Sequence, residues 1–147
     1  MKVLILCTGN SCRSQMAHGF LQSFDQNLKV YSAGTKASGQ VNEKAVEVMK
    51  EIGIDISRHT SDPVTKYQGE EWDFVITVCD SVNKVCPAFQ GNVKHRLHIG
   101  FDDPFNVIGS DTYILNEYRR IRDEIYNEIR EFYFKVLPRK TEVGRPK

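Results

Sequence analysis

No stretch of the 147-residue sequence approaches the roughly 18 consecutive apolar residues of a membrane-spanning helix, and the apolar run at residues 3–6 is too short for a secretory leader. A membrane is therefore not an expected partner, and the chain is expected to stay in the cytoplasm, where thiols are kept reduced. An excess of one charge is missing too. The 20 Lys and Arg stand against 19 Asp and Glu, a formal net charge of +1, so nucleic acid has no electrostatic footing here and is not expected to bind. Internal repeats and linkers are absent, and 147 residues build one well-buried core rather than two. A single domain over residues 1–137 is expected, followed by a basic tail at 138–147 that contains Pro and Gly and frays. There is also no C-x2-C. A zinc site would have to combine Cys7 and Cys12 with Cys79 and Cys86 at unusual spacings, so neither a metal nor another cofactor is expected. In a reducing compartment the four cysteines read as catalytic or core residues before they read as structural disulfides.

What is present is the composition of a folded globular chain, 40% hydrophobic and 27% charged. Residues 1–6 are an aliphatic run without alternation, the pattern of a parallel strand buried on both faces, and the run ends at Cys7. After the polar loop 8–12, Met16, Ala17, Phe20, Leu21 and Phe24 recur at helical spacing, which starts a helix near Arg13 or Ser14. Residues 28–32 read as a second strand, with Ala33 and Gly34 turning it out into a polar loop. Asn42 is suited to cap a second helix that has Ala45, Val48, Met49 and Ile52 on one face and Gly53 at its close. Residues 73–78 form a third strand, again ending on a cysteine, Cys79, and residues 96–99 carry a weaker fourth-strand signal before the loop Gly100-Phe101-Asp102-Asp103-Pro104. Ile114, Tyr118, Ile121, Ile125, Ile129, Phe132 and Val136 follow at steps of three and four, marking a last amphipathic helix. Strands alternating with helices imply an α/β fold, a small doubly wound sheet whose ligand site lies beyond the carboxyl ends of its strands. Cys7 and Cys79 both fall at such ends.

A bare C-x5-R says little; its setting says more. Cys7-Thr8-Gly9-Asn10-Ser11-Cys12-Arg13-Ser14 joins a buried strand to a helix start, so backbone N–H groups and the positive helix end converge on an anion. Gly9 and Asn10 tolerate the left-handed backbone such a nest requires. Arg13 is suited to hold two oxygens in a bidentate fork. The same donors, together with the Ser14 hydroxyl, are expected to lower the Cys7 pKa and hold a thiolate near neutral pH. That places a nucleophile beside a site for a tetrahedral oxyanion, phosphate or arsenate; the plainer alternative is that Cys7 merely fills a strand end.

Residues 7–14 resemble the phosphate loop of the low-molecular-weight protein tyrosine phosphatases. Extended through Gln15-Met16-Ala17, the string most resembles the thioredoxin-coupled arsenate reductases of that superfamily. The likeness continues through Tyr31-Ser32-Ala33-Gly34, Asp55-Ile56-Ser57-Arg58-His59-Thr60-Ser61, Cys79, Cys86-Pro87 and Gly100-Phe101-Asp102-Asp103-Pro104, and so spans most of the chain up to the final helix. It implies a four-stranded parallel sheet flanked by helices. It also implies a general acid at Asp103, with Pro104 stiffening the loop and Asp102 structural. For the distal thiols it implies a relay: Cys7 attacks arsenate, Cys79 attacks the Cys7 sulfur and expels arsenite, and Cys86 takes over Cys79, leaving a Cys79–Cys86 disulfide for thioredoxin or a similar dithiol to reduce.

The alternatives remain open on sequence. Cys79 and Cys86 as inert core thiols are the plainer alternative, against which stands the place of Cys79 at the end of a strand expected beside that of Cys7, and Asp-Asp-Pro is also an ordinary turn. Cys12 reads as loop structure. His59, His95 and His98 read as hydrogen-bonded structural residues. His18 stands where some of the resembling reductases carry a carboxylate near a bound potassium ion, which gives no ground for expecting potassium here. A phosphotyrosine phosphatase would use Cys7, Arg13 and Asp103 in the same first step but needs aromatic walls for a phenyl ring, and residues 35–40 supply none. Phe105 is the one aromatic side chain placed for that role.

Overall fold

The computed structural model describes residues 1–79, 89 and 91–138. Four strands, β1 (Lys2–Cys7), β2 (Lys29–Gly34), β3 (Glu71–Thr77) and β4 (Asn92–His98), form one sheet in the order β2-β1-β3-β4, with every neighbouring pair parallel. The helices are α1 (Arg13–Phe24), α2 (Glu43–Lys50) and α3 (Asp111–Glu131), the last running on through a π-helical turn at Phe132–Val136. Short 3-10 turns occupy Val64–Tyr67 and Pro104–Asn106. The result is the four-stranded parallel α/β sheet with flanking helices that the sequence pattern implies.

β1 is central and paired on both sides, which is why residues 3–6 are at most 2% exposed and need no polar alternation. Its side chains alternate between two cores. Val3, Ile5 and Cys7 join Met16 and Phe20 of α1, Val48 and Met49 of α2, and Ile121, Ile125 and Phe132 in the larger one. Leu4 and Leu6 face the other side, against Tyr67, Trp72 and Phe89. Each fully buried Leu, Ile or Phe contributes on the order of 1.5–3 kcal/mol by leaving water, so the sheet is held chiefly by these two layers. Asn42 caps α2, its side chain accepting from the amides of Lys44 (2.9 Å) and Ala45 (3.1 Å). Beyond the other end of α2, Glu51 binds Arg119 (2.6 Å) and Arg122 (2.8 Å) of α3.

Three local expectations are corrected. The second strand does not turn out at Ala33 and Gly34; both belong to β2, with Ala33 opposite Leu6 and Gly34 opposite Cys7. The reason is tertiary: a Cβ on Gly34 would lie 2.5 Å from the Thr8 carbonyl oxygen and 3.0 Å from the Asn10 amide nitrogen, so glycine lets β2 run close beneath the loop that follows β1. Ile52 is 45% exposed instead of buried, because α2 ends at Lys50 and Ile52 falls in the turn closed by Gly53, whose φ is +84°. The fourth strand starts at Asn92, four residues before the apolar signal. As an edge strand it pairs with β3 alone, from Asn92 opposite Glu71 to His98 opposite Thr77, and it needs few apolar residues to do so.

Gly34 supplies a first test. The two nearest atoms that an added Cβ would meet belong to the backbone and the third, at 3.1 Å, is the Asn10 Cβ, which no rotamer change can move, so nothing can swing aside. Gly34→Ala is expected to cost about 1–3 kcal/mol in urea unfolding, the range for overpacking, and to disorder the adjacent loop. Wild-type stability in that variant would mean the strand and loop are not as tightly apposed as described.

Candidate active site

The loop from β1 to α1 leaves the carboxyl end of the central strand, and its carbonyls are all held by surrounding segments. The carbonyl oxygen of Cys7 accepts from the Thr35 amide (3.3 Å), that of Thr8 from Lys36 (2.9 Å), and that of Gly9 from Ser38 (2.9 Å) and the Ser61 hydroxyl (3.1 Å). The Asn10 carbonyl accepts from Gln15 Nε2 (3.0 Å), that of Ser11 from the Asn42 amide (2.8 Å) and that of Cys12 from Met16 (2.9 Å). Because a peptide unit is planar with its N–H opposed to its C=O, holding the carbonyls outward turns amides inward. Those of Thr8 and Gly9 favour the Cys7 thiolate and draw its pKa down. α1 begins without a side-chain cap at Cys12, which leaves its first-turn amides available to an anion.

Arg13 is the first residue of α1 and only 6% exposed. Its Nη1 donates to the Phe101 carbonyl (3.1 Å), and its Nη2 lies 3.4 Å from Asp103 Oδ2. Its Nε is buried without a hydrogen-bond partner among the described residues. An unpaired buried donor costs roughly 1–3 kcal/mol, which a bound oxyanion would recover, and the Nε/Nη2 edge is the side of the guanidinium that takes two oxygens at once. Asp103 caps the 3-10 turn Pro104–Asn106, its Oδ1 accepting from the Phe105 amide at 3.0 Å. Asp102 points elsewhere and pairs at 3.6 Å with Arg120 of α3. Cys7, residues 8–13, Asp103, Ser38 and Phe105 line one cavity of about 260 Å³, ample for a tetrahedral oxyanion.

A family model described as low molecular weight phosphotyrosine protein phosphatase matches residues 2–143. The chain belongs to that family. Within the family it is similar to an arsenate reductase of Halalkalibacterium halodurans, 48% identical over 88% of this chain and 93% of the relative, and to one of Bacillus subtilis, 45% identical over 88% and 93%. Its fold is similar to a solved structure of an arsenate reductase in the phosphate binding state, with a TM-score of 0.74, 31% identity and coverage of 92% of this chain and 98% of that one.

Against this family site the expected residues fall unevenly. Cys7, Thr8, Gly9, Asn10, Ser11, Cys12, Arg13 and Asp103 are brought together at one cavity. Of the two residues expected to take left-handed backbone, only Asn10 does so, at φ +48°. Gly9 keeps an ordinary conformation because the turn is completed at Asn10, whose side chain is buried and fully engaged. The Ser14 hydroxyl does not reach the thiol; it donates to Asn10 Oδ1 at 2.8 Å and so supports the loop from beneath. The expected depression of the Cys7 pKa is also corrected. Burial pushes the thiol up, and although Arg13 and the amides of Thr8 and Gly9 pull it down, Asp103 adds to the rise and the net shift is upward. Burial pushes Cys12 up as well, in keeping with a structural thiol.

Cys7 and Cys12 are free thiols. Cys79, one residue beyond Val78 at the end of β3, is 1% exposed and disulfide-bonded. Cys86 lies outside the described residues. The histidines are structural in their contacts: His59 Nδ1 is 3.0 Å from Gln15 Oε1, His98 Nδ1 is 2.6 Å from Thr77 Oγ1, and His95 packs on Phe74 at 5.0 Å between ring centroids. His18 sits 3.0 Å from Ser32 Oγ and stacks on His59, and burial pushes its pKa down to about 3, so it is neutral. Sequence reasoning missed Ser38, Ser61 and Phe101, which act through a backbone amide, a hydroxyl bridge and a backbone carbonyl. A backbone contact leaves no mark on residue type, and only the polarity of Ser38 and Ser61 was legible.

Proposed function

We infer that this protein reduces arsenate to arsenite by a thiol relay that begins at Cys7. The observation that carries the reading is the meeting, in one cavity, of a free thiol, the buried Arg13, whose Nε has no partner among the described residues, and Asp103, in a chain 44–48% identical to a series of arsenate reductases. Because burial keeps Cys7 protonated, the thiol proton passes to an oxygen of the bound arsenate dianion as sulfur attacks arsenic. The S–As bond forms, an As–O bond breaks, and the departing oxygen leaves as water with a proton delivered by Asp103, which is then reprotonated. Arg13 and the loop amides hold the remaining oxygens. The Cys79 thiolate next attacks the Cys7 sulfur. The S–As bond breaks with its electron pair on arsenic, so arsenic falls from +5 to +3, arsenite departs and Cys7–Cys79 is oxidised. Cys86 displaces Cys7 from Cys79, and a dithiol protein of the thioredoxin kind reduces the Cys79–Cys86 disulfide. We place this chemistry in the cytoplasm, where such reductants operate. No helix of the described residues is long and apolar enough to cross a membrane.

A second reading, hydrolysis of aryl phosphates through a Cys7 thiophosphate, is favoured by Phe105, 68% exposed and lining the same cavity, where it can stack on a phenyl ring. One purified sample tests both. Arsenate should drive repeated oxidation of reduced thioredoxin, and hydrolysis of a small aryl phosphate should be the slower activity; the reverse order would make the phosphatase reading the primary one. Arsenate, phosphate and sulfate should each raise the melting temperature in proportion to the logarithm of concentration. Arg13→Lys is expected to remove most of that shift, because Lys presents a point charge in place of a planar edge. An unchanged shift in the variant would deny Arg13 its role at the anion.

A further inference from the structure

We propose that Gln15, held by the Nδ1–H tautomer of His59, is the positioning residue that locks Asn10 in its left-handed conformation and thereby aims the loop amides at the oxyanion. The proposal rests on the oxyanion site described above and assigns it a support outside the cavity. Gln15 is completely buried in α1, does not line the cavity, and bonds both the backbone and the side chain of Asn10.

Its amide nitrogen lies 3.0 Å from each of three oxygens: the Asn10 carbonyl, Asn10 Oδ1 and the Thr60 carbonyl. Two hydrogens serve these three acceptors, one directed at Thr60 and the other shared between the two oxygens of Asn10. A single donor therefore grips Asn10 by backbone and side chain together. The rest of the Asn10 side chain is also taken, its Oδ1 by Ser14 Oγ (2.8 Å) and its Nδ2 by the Ser32 carbonyl (3.2 Å). These contacts offset the cost of φ +48° in a non-glycine residue and leave Asn10 no exposed surface. Relaxing Asn10 would rotate the peptide units on either side of it, and with them the amides of Asn10 and Ser11, both residues of the cavity that holds Cys7.

The orientation of Gln15 in turn depends on His59. Gln15 Oε1 has only acceptor capacity and stands 3.0 Å from His59 Nδ1, so Nδ1 must carry the proton. The other neutral tautomer would set a lone pair against Oε1. Flipping Gln15 to relieve that clash would turn its oxygen onto the three oxygens of Asn10 and Thr60. One combination of tautomer and amide orientation satisfies every group, and it is the one that grips Asn10. His18, stacked on His59 at 4.3 Å between centroids and bound to Ser32, holds the imidazole in place.

Long-range 1H–15N spectra of the wild-type protein at about pH 8, where histidine is neutral, should show His59 protonated at Nδ1 and bare at Nε2; an Nε2–H tautomer overturns the proposal. Gln15→Glu keeps the shape of the side chain and removes its donor hydrogens, and Gln15→Met replaces the amide with an apolar chain of similar volume. In whichever of these folds, the dissociation constant for phosphate should rise roughly tenfold or more, the scale set by leaving buried acceptors unpaired. The pH midpoint for alkylation of Cys7 should rise with it, a change that loss of packing alone would not produce. Wild-type phosphate affinity and an unmoved Cys7 midpoint in the folded variants overturn the role of Gln15. Failure of the wild-type protein itself to bind phosphate would bring down the oxyanion site, and this inference with it, which sets the two failures apart.

Discussion

Cys7→Ser is expected to abolish both arsenate reduction and aryl phosphate hydrolysis, by roughly 10⁴-fold or more as for other covalent nucleophiles, while Cys79→Ser and Cys86→Ser abolish only the first. Hydrolysis of an aryl phosphate requires attack by Cys7 and release by water, and neither step uses another thiol. Arsenate reduction moves two electrons from protein sulfur to arsenic. Without Cys79 the Cys7 adduct has no thiol to displace it, and without Cys86 the enzyme stalls with Cys7 and Cys79 joined. Each distal variant should therefore stop multiple turnover with thioredoxin and keep most of its phosphatase rate. Mass spectrometry of the wild-type protein after a single turnover should locate the new disulfide at Cys79–Cys86. Wild-type arsenate turnover in both distal variants would refute the relay and leave the phosphatase reading.

Asp103→Asn should separate turnover from nucleophile ionisation. Asn keeps an oxygen to cap the Phe105 amide, so the 3-10 turn should survive, but it has no proton to give a departing oxygen. A fall in kcat of roughly 10²–10⁴-fold is expected, with anion affinity unchanged or improved because a carboxylate 3.4 Å from Arg13 no longer competes for the guanidinium. The sign of the accompanying change in Cys7 follows from charge. A carboxylate beside a thiol disfavours the thiolate and raises its pKa, and Asp103 is among the groups raising that of Cys7. Removing the charge should move the alkylation midpoint of Cys7 to lower pH. The variant should thus have a more readily ionised nucleophile and a slower reaction. Asp102→Asn, at a carboxylate 72% exposed and paired with Arg120, should change neither quantity much. Equal effects of the two substitutions, or a loss of affinity alone, would remove Asp103 from the acid role.

The pH profile carries a related expectation. With Cys7 raised by burial, its alkylation rate should climb through a midpoint above that of an ordinary cysteine, whereas the loop motif alone led to the opposite expectation. Both readings count the same donors. They differ in the desolvation of a sulfur that is 5% exposed, and burial of that degree is a property of the assembled fold that no local string of residues displays.

How far the sequence alone reached can be seen element by element. The central strand, α1 and α3 were legible because their cores write a local signal: unbroken aliphatic residues at 3–6, and apolar steps of three and four through Met16, Phe20, Ile121, Ile125 and Phe132. Chain order and the alternation of strand with helix determined a parallel sheet with its candidate site at the strand ends, which singled out Cys7 and Arg13 as candidates. Other features depended on partners distant in sequence. The run of β2 through Gly34 depends on clearance beneath Thr8 and Asn10, and the polar edge strand β4 on hydrogen bonds lent by β3. The choice of Asn10 as the single left-handed residue depends on Gln15, Ser14 and Ser32 converging on its side chain. The sequence by itself thus offered Cys7 and Arg13 as candidate nucleophile and cation through residue type and position, while Asp103 as the acid came from the family resemblance. The tertiary structure decided the direction in which the Cys7 pKa moves and the partners of the groups around it, because desolvation and hydrogen-bond partnership exist only after distant segments have packed together.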